Sequence, residues 1–382
     1  MTVHPPQNPT GVLSSHRATL AELGERAVVE RLVLPRLQSR NSLGDVIGDD
    51  CALTEPPGPD EVVVSTIDPC PRPVVFDFRE PDYLSYGWLT AVINLSDLAA
   101  VGATPTGLLV STVMPGDMTV HAYDRFLQGL AEACRTWSCP VLGGNIKDGP
   151  EFTATAAATG RVRADRVLRR TGAAPGDLLC VVGEPGLFWA AVLRALYRPD
   201  VPRLTAADAA ALEAALTRPV ARVPEGIRLA ATGAVSCCTD ASDGLGAALD
   251  ELARVNGLDA VVDSAALLPG PAARKVAAAL GVDPRALALS WGDWELVCGI
   301  APGRLAAVRA ALAPIPVHAV GEFRPTAGDG RLLLGEDGRA RPVADFGSRR
   351  FDARSSFTHG LEPYAELLVH GELYDTGVAD RQ

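Results

Sequence analysis

Two hydrophobic periods alternate along this chain, and the stretch that organises the rest has the helical one. Gly87 to Gly102, GWLTAVINLSDLAAVG, puts Trp88, Leu89, Val92, Leu95 and Ala99 on one apolar stripe and Asn94 and Asp97, three apart, on another face. Ahead of it the spacing predicts a helix from Arg17 to Leu37, with Leu20, Leu23, Val28 and Val29 apolar and Pro35 marking its end. SLGDVIGDDCALTEPPG reads as turn, short strand and turn. GPDEVVVSTIDP reads as a strand of β-branched Val62, Val63 and Val64 that stops at Asp68 before Pro69. Residues 70 to 82 form a Pro-rich irregular loop. After the central helix come a strand, GLLVSTVMP, and an amphipathic helix, VHAYDRFLQGLAEACRTW, with Tyr123, Phe126, Leu127, Leu130 and Cys134 inward. Two strands, PVLGGN and FTATAAATGRV, then flank a Gly-rich acidic turn from Gly143 to Gly149.

The texture changes near Arg170. TGAAPGD is a linker, LLCVVG a buried strand, Glu184-Pro185-Gly186 a turn and LFWAAVLRALY a helix. RPVARVPEGIRLAATG is a second boundary signal. VSCCTDASDGLGAALDELARVNG follows as strand, acidic turn and helix, then AVVDSAALLPGP as strand and loop and an Ala-rich helix over residues 271 to 281. ALSWGDWELVCGI is a turn and strand, RLAAVRAALA a helix, PVHAVGEF a strand and RLLLGEDGRARPV a hairpin. The tail from Arg349 has too little periodicity to assign. The chain thus divides into a loose N-terminus (residues 1–16), an N-terminal α/β domain (17–170), a C-terminal α/β domain (171–345) and a tail (346–382).

Composition narrows the function. With 382 residues, 47% hydrophobic and 5% aromatic, the core is built of small aliphatic side chains. A net charge of -11 without a Lys/Arg block disfavours nucleic-acid binding through a basic surface. No run is long enough to span a membrane, no leader is legible, and the eight cysteines include no CxxC pair, so they read as reduced thiols in a cytoplasmic protein. The six histidines have no triad or zinc spacing.

The candidate chemistry lies in acidic turns at strand ends: Gly48-Asp49-Asp50, Asp68, Asn94 with Asp97, Asn145 with Asp148, and Asp240-Ala241-Ser242-Asp243-Gly244. Mg²⁺ takes hard oxygen ligands, usually one or two carboxylates per ion, with phosphate oxygens completing the shell. Converging turns of this kind hold a triphosphate without a GxxxxGK[ST] loop, and the sequence has none. Each turn also has a plainer use: Asp243 as the N-cap of the next helix, Gly143 and Gly144 as a turn, the Gly183 to Gly186 loop as a strand-to-helix connection. Trp291 and Trp294, flanking Gly292-Asp293, either stack on a planar substrate or cover the edge of the core.

In order, GDDCAL, STIDP, GWLTAVINLSDLAAVGATP, VLGGN, RPVARVPEG, TDASDGL and WGDWELV resemble the signature segments of thiamine-monophosphate kinase over residues 20 to 325. That family belongs with aminoimidazole ribonucleotide synthetase, formylglycinamidine ribonucleotide synthetase, selenophosphate synthetase and the hydrogenase maturation dehydratase. The resemblance implies an α/β (α+β) chain of two domains, with N-terminal sheets pairing into a barrel in a homodimer, and ATP and Mg²⁺ as cofactors. Asp49, Asp50, Asp68, Asp97, Asp240 and Asp243 match the family's metal and nucleotide carboxylates, and Gly143 and Gly144 its glycine turn. Asn94, Asn145 and Ser242 join the cofactor-binding set. Asp68, Asp243 and Asp293 are the candidate catalytic residues.

Three departures fall elsewhere. Asn145 stands where the kinase pattern has Asp, Pro71 to Phe78 (PRPVVFDF) lacks the family's His, and Ser290 to Leu296 (SWGDWEL) replaces Gly-Gly-Glu-Asp-Tyr-Glu-Leu. The nucleotide side is retained and the substrate side rewritten. The leading expectation is an Mg²⁺- and ATP-dependent phosphotransferase acting on a small-molecule acceptor, which need not be thiamine monophosphate. The alternatives are a synthetase that phosphorylates an amide or carbonyl oxygen, supported by Asn145, and a catalytically silent nucleotide-binding protein.

Overall fold

The computed structural model describes residues 18–23, 25–38, 40–41, 44–45, 57–326, 328, 330–336, 339–344, 346, 360–371 and 373. Asp49 and Asp50, and most of the turn expected around them, lie outside the described residues. The chain forms two compact units, one of Met1–Asn94 and Pro105–Arg161, the other of Leu95–Thr104 and Val162–Gln382. The division falls inside the central helix.

The first unit holds β1 (Glu61–Cys70), α1 (Tyr83–Ala100, as far as Asn94), β2 (Thr104–Met114), α2 (Val120–Thr136), β3 (Val141–Asp148) and β4 (Thr153–Arg163). The four strands pair in the order β1-β4-β2-β3, with β2 and β3 parallel. Among the described residues of the single chain this sheet is open and forms no closed barrel. Its outer face carries Val63, Leu109 and Ile67, the last 67% exposed. α1 begins four residues before the pattern suggested and is buried nearly all round, including Thr90 and Asn94. It lies so close to α2 that a Cβ on Gly87 would overlap the Phe126 carbonyl, and one on Gly129 the Leu84 carbonyl. Tyr123, Phe126, Leu127, Leu130 and Cys134 are all buried, as their spacing on α2 predicts.

Three local expectations need correction. Pro35 does not end the N-terminal helix: the chain turns through a π-helix at Val29–Val33, where Leu34 N–H donates to Val29 O, and Pro35 sits inside the following turn, Leu34–Leu37. The 5-residue bond spacing widens the turn that a proline ring would otherwise strain. β1 does not stop at Asp68 but runs through Pro69 to Cys70, which is tolerated because β1 is an edge strand. Gly143 and Gly144 do not form a turn. They lie within β3, where Gly143 pairs with Leu109 and Gly144 with Val110, and a Cβ on Gly144 would overlap the Val110 carbonyl. Gly144 permits close strand approach beside a register shift at Leu108 and Leu109.

The second unit continues with β5 (Leu178–Val182), α3 (Leu187–Tyr197), α4 (Ala206–Thr217), α5 (Val223–Thr232), β6 (Val235–Asp240), α6 (Leu245–Asn256), β7 (Leu258–Asp263), α7 (Pro271–Leu280), α8 (Pro284–Leu289), β8 (Leu296–Ile300), α9 (Leu305–Leu312), β9 (Val317–Pro325), β10 (Leu332–Glu336), β11 (Arg339–Pro342) and α10 (Glu362–His370). Its described strands form one sheet in the order β11-β10-β7-β9-β5-β8-β6. α4, α8 and α10 are additions to the elements read from the sequence, and α5 replaces what reads as a boundary segment. Each addition had a readable start: the Thr205/Asp208 capping box, the Asp283 cap before Pro284, and Pro363 in the first turn of α10.

Candidate functional site

β8 is antiparallel to both β5 and β6, so those two strands run in the same direction and end at the same edge of the sheet. Leu296 faces Val182 on one side and Asp240 on the other. Just past that line each strand enters a turn and then a helix, α3 after β5 and α6 after β6. Strand ends of this kind are where open α/β sheets take up ligands.

After β6 the turn gathers the acidic groups of the second unit. Asp240 is only 8% exposed and accepts hydrogen bonds from Ser96 Oγ at 2.6 Å and Ser242 Oγ at 3.3 Å. Burial first, then the charges of Asp97 and Asp243, push its carboxyl up to about 6, while the two hydroxyls pull it back. Asp97, Asp240, Ser242 and Asp243 are thus brought together electrostatically, and no cation is among Asp240's resolved influences. Asp243 is exposed and is not the helix cap: Gly244, with φ 109°, is the N-cap of α6 and makes no side-chain cap bond. Ser96 escaped the sequence reading. One residue before Asp97 on a helix, it points about 100° away from it, so spacing alone gave no reason to pair it with the acidic turn.

The turn after β5 is built differently. Its helix N-terminus holds the protein's own carboxylate: Asp293 Oδ2 accepts Gly186 N–H at 2.6 Å and Oδ1 accepts Phe188 N–H at 3.1 Å. Asp293 is 9% exposed, and burial, followed by the neighbouring Glu295 charge, raises its carboxyl well above the usual range against the pull of those N–H donors. The 183–186 loop is therefore a strand-to-helix connection in which the Gly186 and Phe188 donors are satisfied internally. Trp291 covers the core edge, with its ring 5.3 Å from Phe188, 5.2 Å from Trp189 and 5.9 Å from Tyr364 of α10.

In the first unit Asn94 is 0% exposed. Its amide donates to Thr90 O at 3.2 Å and its carbonyl accepts the Asp68 N–H at 3.2 Å, so its side chain is committed to holding the backbone of β1 at Asp68. Asn145 is exposed on β3, and Gly143 and Gly144 precede it on the same strand. The segment expected as a loop before α1 contains a 3₁₀ turn, Val74–Asp77, whose Val75 and Phe76 are buried, Phe76 against Tyr83 and Tyr86. Among the described residues no three His, Cys, Asp or Glu side chains are grouped closely enough to hold a metal ion unaided. None of the described helices is long and apolar enough to cross a membrane.

A mixed α/β chain of two such units is the fold of the AIR synthase related proteins. Their N-terminal domain matches residues 48–162 and their C-terminal domain residues 174–331. Thiamine-monophosphate kinase of Synechococcus elongatus is 32% identical over 256 residues, 66% of this chain and 75% of that one. The Halobacterium salinarum enzyme is 35% identical over 260 residues, covering 66% and 82%. The solved structure of AaThiL complexed with AMPPCP and TMP superposes with a TM-score of 0.64 at 26% identity, over 86% of this chain and 98% of that one. The chain belongs to the thiamine-monophosphate kinase family and is an ATP-dependent kinase.

Proposed function

We propose that this kinase uses Mg²⁺·ATP to phosphorylate a small metabolite other than thiamine monophosphate. The observation that carries the nucleotide half is the buried Asp240, raised to about 6 by burial and by Asp97 and Asp243. Like charges gathered at one strand end are unfavourable unless a cation offsets them. The donors fit Mg²⁺, since Asp97, Asp240 and Asp243 offer hard oxygens, and the ion needs only one or two carboxylates when phosphate supplies the rest. Asp97, Asp240 and Asp243 would hold the ion, which would supply neutralisation of phosphate charge. Ser96 and Ser242 orient the Asp240 carboxylate through their hydroxyls. Asp49, Asp50 and Asp68 as further metal carboxylates, and Gly143, Gly144 and Asn145 at the nucleotide, follow from the family resemblance. Asn94 acts as a support for Asp68, in keeping with its burial.

The acceptor half rests on the rewritten segments. Trp291 and Asp293 are taken up by the aromatic core and the α3 N-terminus, and Val75 and Phe76 by the core beside α1. AaThiL was solved with TMP, so thiamine monophosphate is the reference acceptor. Incubation with Mg·ATP and a panel of thiamine monophosphate, aminosugars and nucleosides, read by mass spectrometry, decides it. Phosphate added to a panel member in preference to thiamine monophosphate supports the proposal. Efficient transfer to thiamine monophosphate overturns the acceptor half, and release of free phosphate with no phosphorylated product supports the synthetase reading, which the exposed Asn145 favours.

The exposed Val63, Ile67 and Leu109 support pairing of the N-terminal sheets in a homodimer, with residues 17–170 as the nucleotide and dimerisation domain and 171–345 as its partner domain. The described cysteines, all buried and unpaired, are in keeping with a cytoplasmic setting.

A further inference from the structure

One buried ion pair in the second unit is not explained by stability. Arg222, the residue before α5, donates from Nη2 to Glu295 Oε1 at 3.1 Å, and both side chains are largely buried. Glu295 Oε2 and Arg222 Nε have no hydrogen-bond partner among the described residues. A buried pair joined by a single hydrogen bond between its partners recovers little of its desolvation cost. Such a pair is a poor way to hold a core together.

Its location suggests another use. Glu295 immediately precedes Leu296, which sits between Val182 and Asp240, and the Glu295 carbonyl accepts the Ala241 N–H at 2.9 Å. Glu295 is therefore fastened to the acidic turn through the backbone. The ion pair lies over Gly183, where φ is 114° and a Cβ would meet Arg222 Nη2 at 2.7 Å and Glu295 Oε1 at 2.8 Å. From Arg222, α5 runs to the end of α1. A Cβ on Gly226 would overlap the Ala99 carbonyl, and one on Gly102 would crowd the Ala230 methyl. That end of α1 carries Ser96 and Asp97, and Ser96 closes the circuit on Asp240 at 2.6 Å. The circuit runs from Asp240 through Glu295, Arg222 and α5 to α1 and back.

We propose that Arg222 and Glu295 are positioning residues that set the spacing of Asp97 from the Asp240 turn, and so the affinity of that turn for Mg²⁺ with nucleotide. This rests on the Mg²⁺·ATP reading of the acidic turn. Arg222→Lys keeps the charge and loses the planar fork, and Glu295→Gln keeps the shape and loses the charge. Both act on ligands through a supporting shell, where losses of about 10- to 100-fold in metal affinity are typical.

The test measures the Mg²⁺ concentration needed for half-maximal AMPPCP binding by calorimetry, alongside the thermal midpoint. Leu212→Ala, at the one buried side chain of α4 and outside the Arg222–Glu295 pair and the acidic turn, serves as the destabilised control. The inference expects Arg222→Lys and Glu295→Gln to need at least about tenfold more Mg²⁺, whereas Leu212→Ala, destabilised to a comparable degree, keeps the wild-type Mg²⁺ dependence. If Arg222→Lys does not fold, Glu295→Gln carries the test. Wild-type Mg²⁺ dependence in both variants, or an equal shift in Leu212→Ala, overturns the inference alone. Failure of the wild-type protein to bind Mg·AMPPCP overturns the nucleotide reading and the inference together.

Discussion

Asp240 and Asp293 are both buried aspartates at the same edge of one sheet, and both have carboxyls raised first by burial. Their surroundings separate them. Asp293 receives two backbone N–H donors from the start of α3, and Arg222 is among the groups pulling its carboxyl down. Asp240 receives two hydroxyls and faces the charges of Asp97 and Asp243. The difference teaches how to tell a structural carboxylate from one awaiting a ligand. Both carboxylates accept hydrogen bonds from the fold and both face a like charge, Glu295 beside Asp293 and Asp97 with Asp243 beside Asp240, but only at Asp293 does a cation of the fold, Arg222, offset it.

The largest expected effect is on turnover. Asp240→Asn removes the buried charge at nearly constant shape, so Mg·ATP-dependent phosphate transfer falls on the order of 10²-fold or more, while the metal-free thermal midpoint stays level or rises. The sign follows from linkage. The Asp240 carboxyl is raised above its unfolded value of about 4, so its stabilising contribution is present below that pH and is lost as pH rises through about 6. Full turnover in Asp240→Asn would erase the distinction from Asp293.

Asp293→Ala reverses the pattern. It leaves the Gly186 and Phe188 N–H groups buried without an acceptor, which costs about 2 to 3 kcal/mol of stability, read by denaturant unfolding. Turnover per folded molecule stays within about threefold of wild type, because nothing at Asp240 is removed. A folded Asp293→Ala protein without activity would place Asp293 in the chemistry.

The smallest effect calibrates both. Asp208 at the start of α4 is a carboxylate completed by Lys275 and by Thr205, and its carboxyl is held down to about 2, with the Lys275 hydrogen bond leading. Its stabilising contribution is present above the unfolded value of about 4 and is lost as pH falls through about 2. The thermal midpoints of wild type and Asp208→Asn therefore differ near neutral pH and converge at the acid end. A gap that stays constant with pH would show that the Lys275 pair contributes nothing.

Periodicity carried most of the architecture. The apolar stripe of α2 and the strand, turn and helix around Asp240 are legible because side-chain spacing reports directly on a buried face. Glycines were harder. Gly143 and Gly144 have the composition of a turn, and only the approach of the Val110 carbonyl from the neighbouring strand shows why Gly144 is small. Asn94 and Asp97 look alike on a helix drawn from the sequence, yet Asn94 is fully buried against Asp68, 26 residues earlier. Asp293 reads from the sequence as a catalytic candidate, whereas its hydrogen-bond partners come from the start of a helix 105 residues upstream, and no local pattern reports that. The acidic turn could be read from sequence because its residues are adjacent. Its supports, Ser96, Arg222 and Glu295, were not legible because they are brought in by the fold.

The central claim is that the carboxylates at Asp240 await a cation with nucleotide whereas the one at Asp293 is already satisfied. Calorimetric titration of Mg·AMPPCP into wild type, Asp240→Asn and folded Asp293→Ala tests it most directly. The account predicts binding to wild type and Asp293→Ala and none to Asp240→Asn at the same concentrations; equal binding to wild type and Asp240→Asn would contradict it.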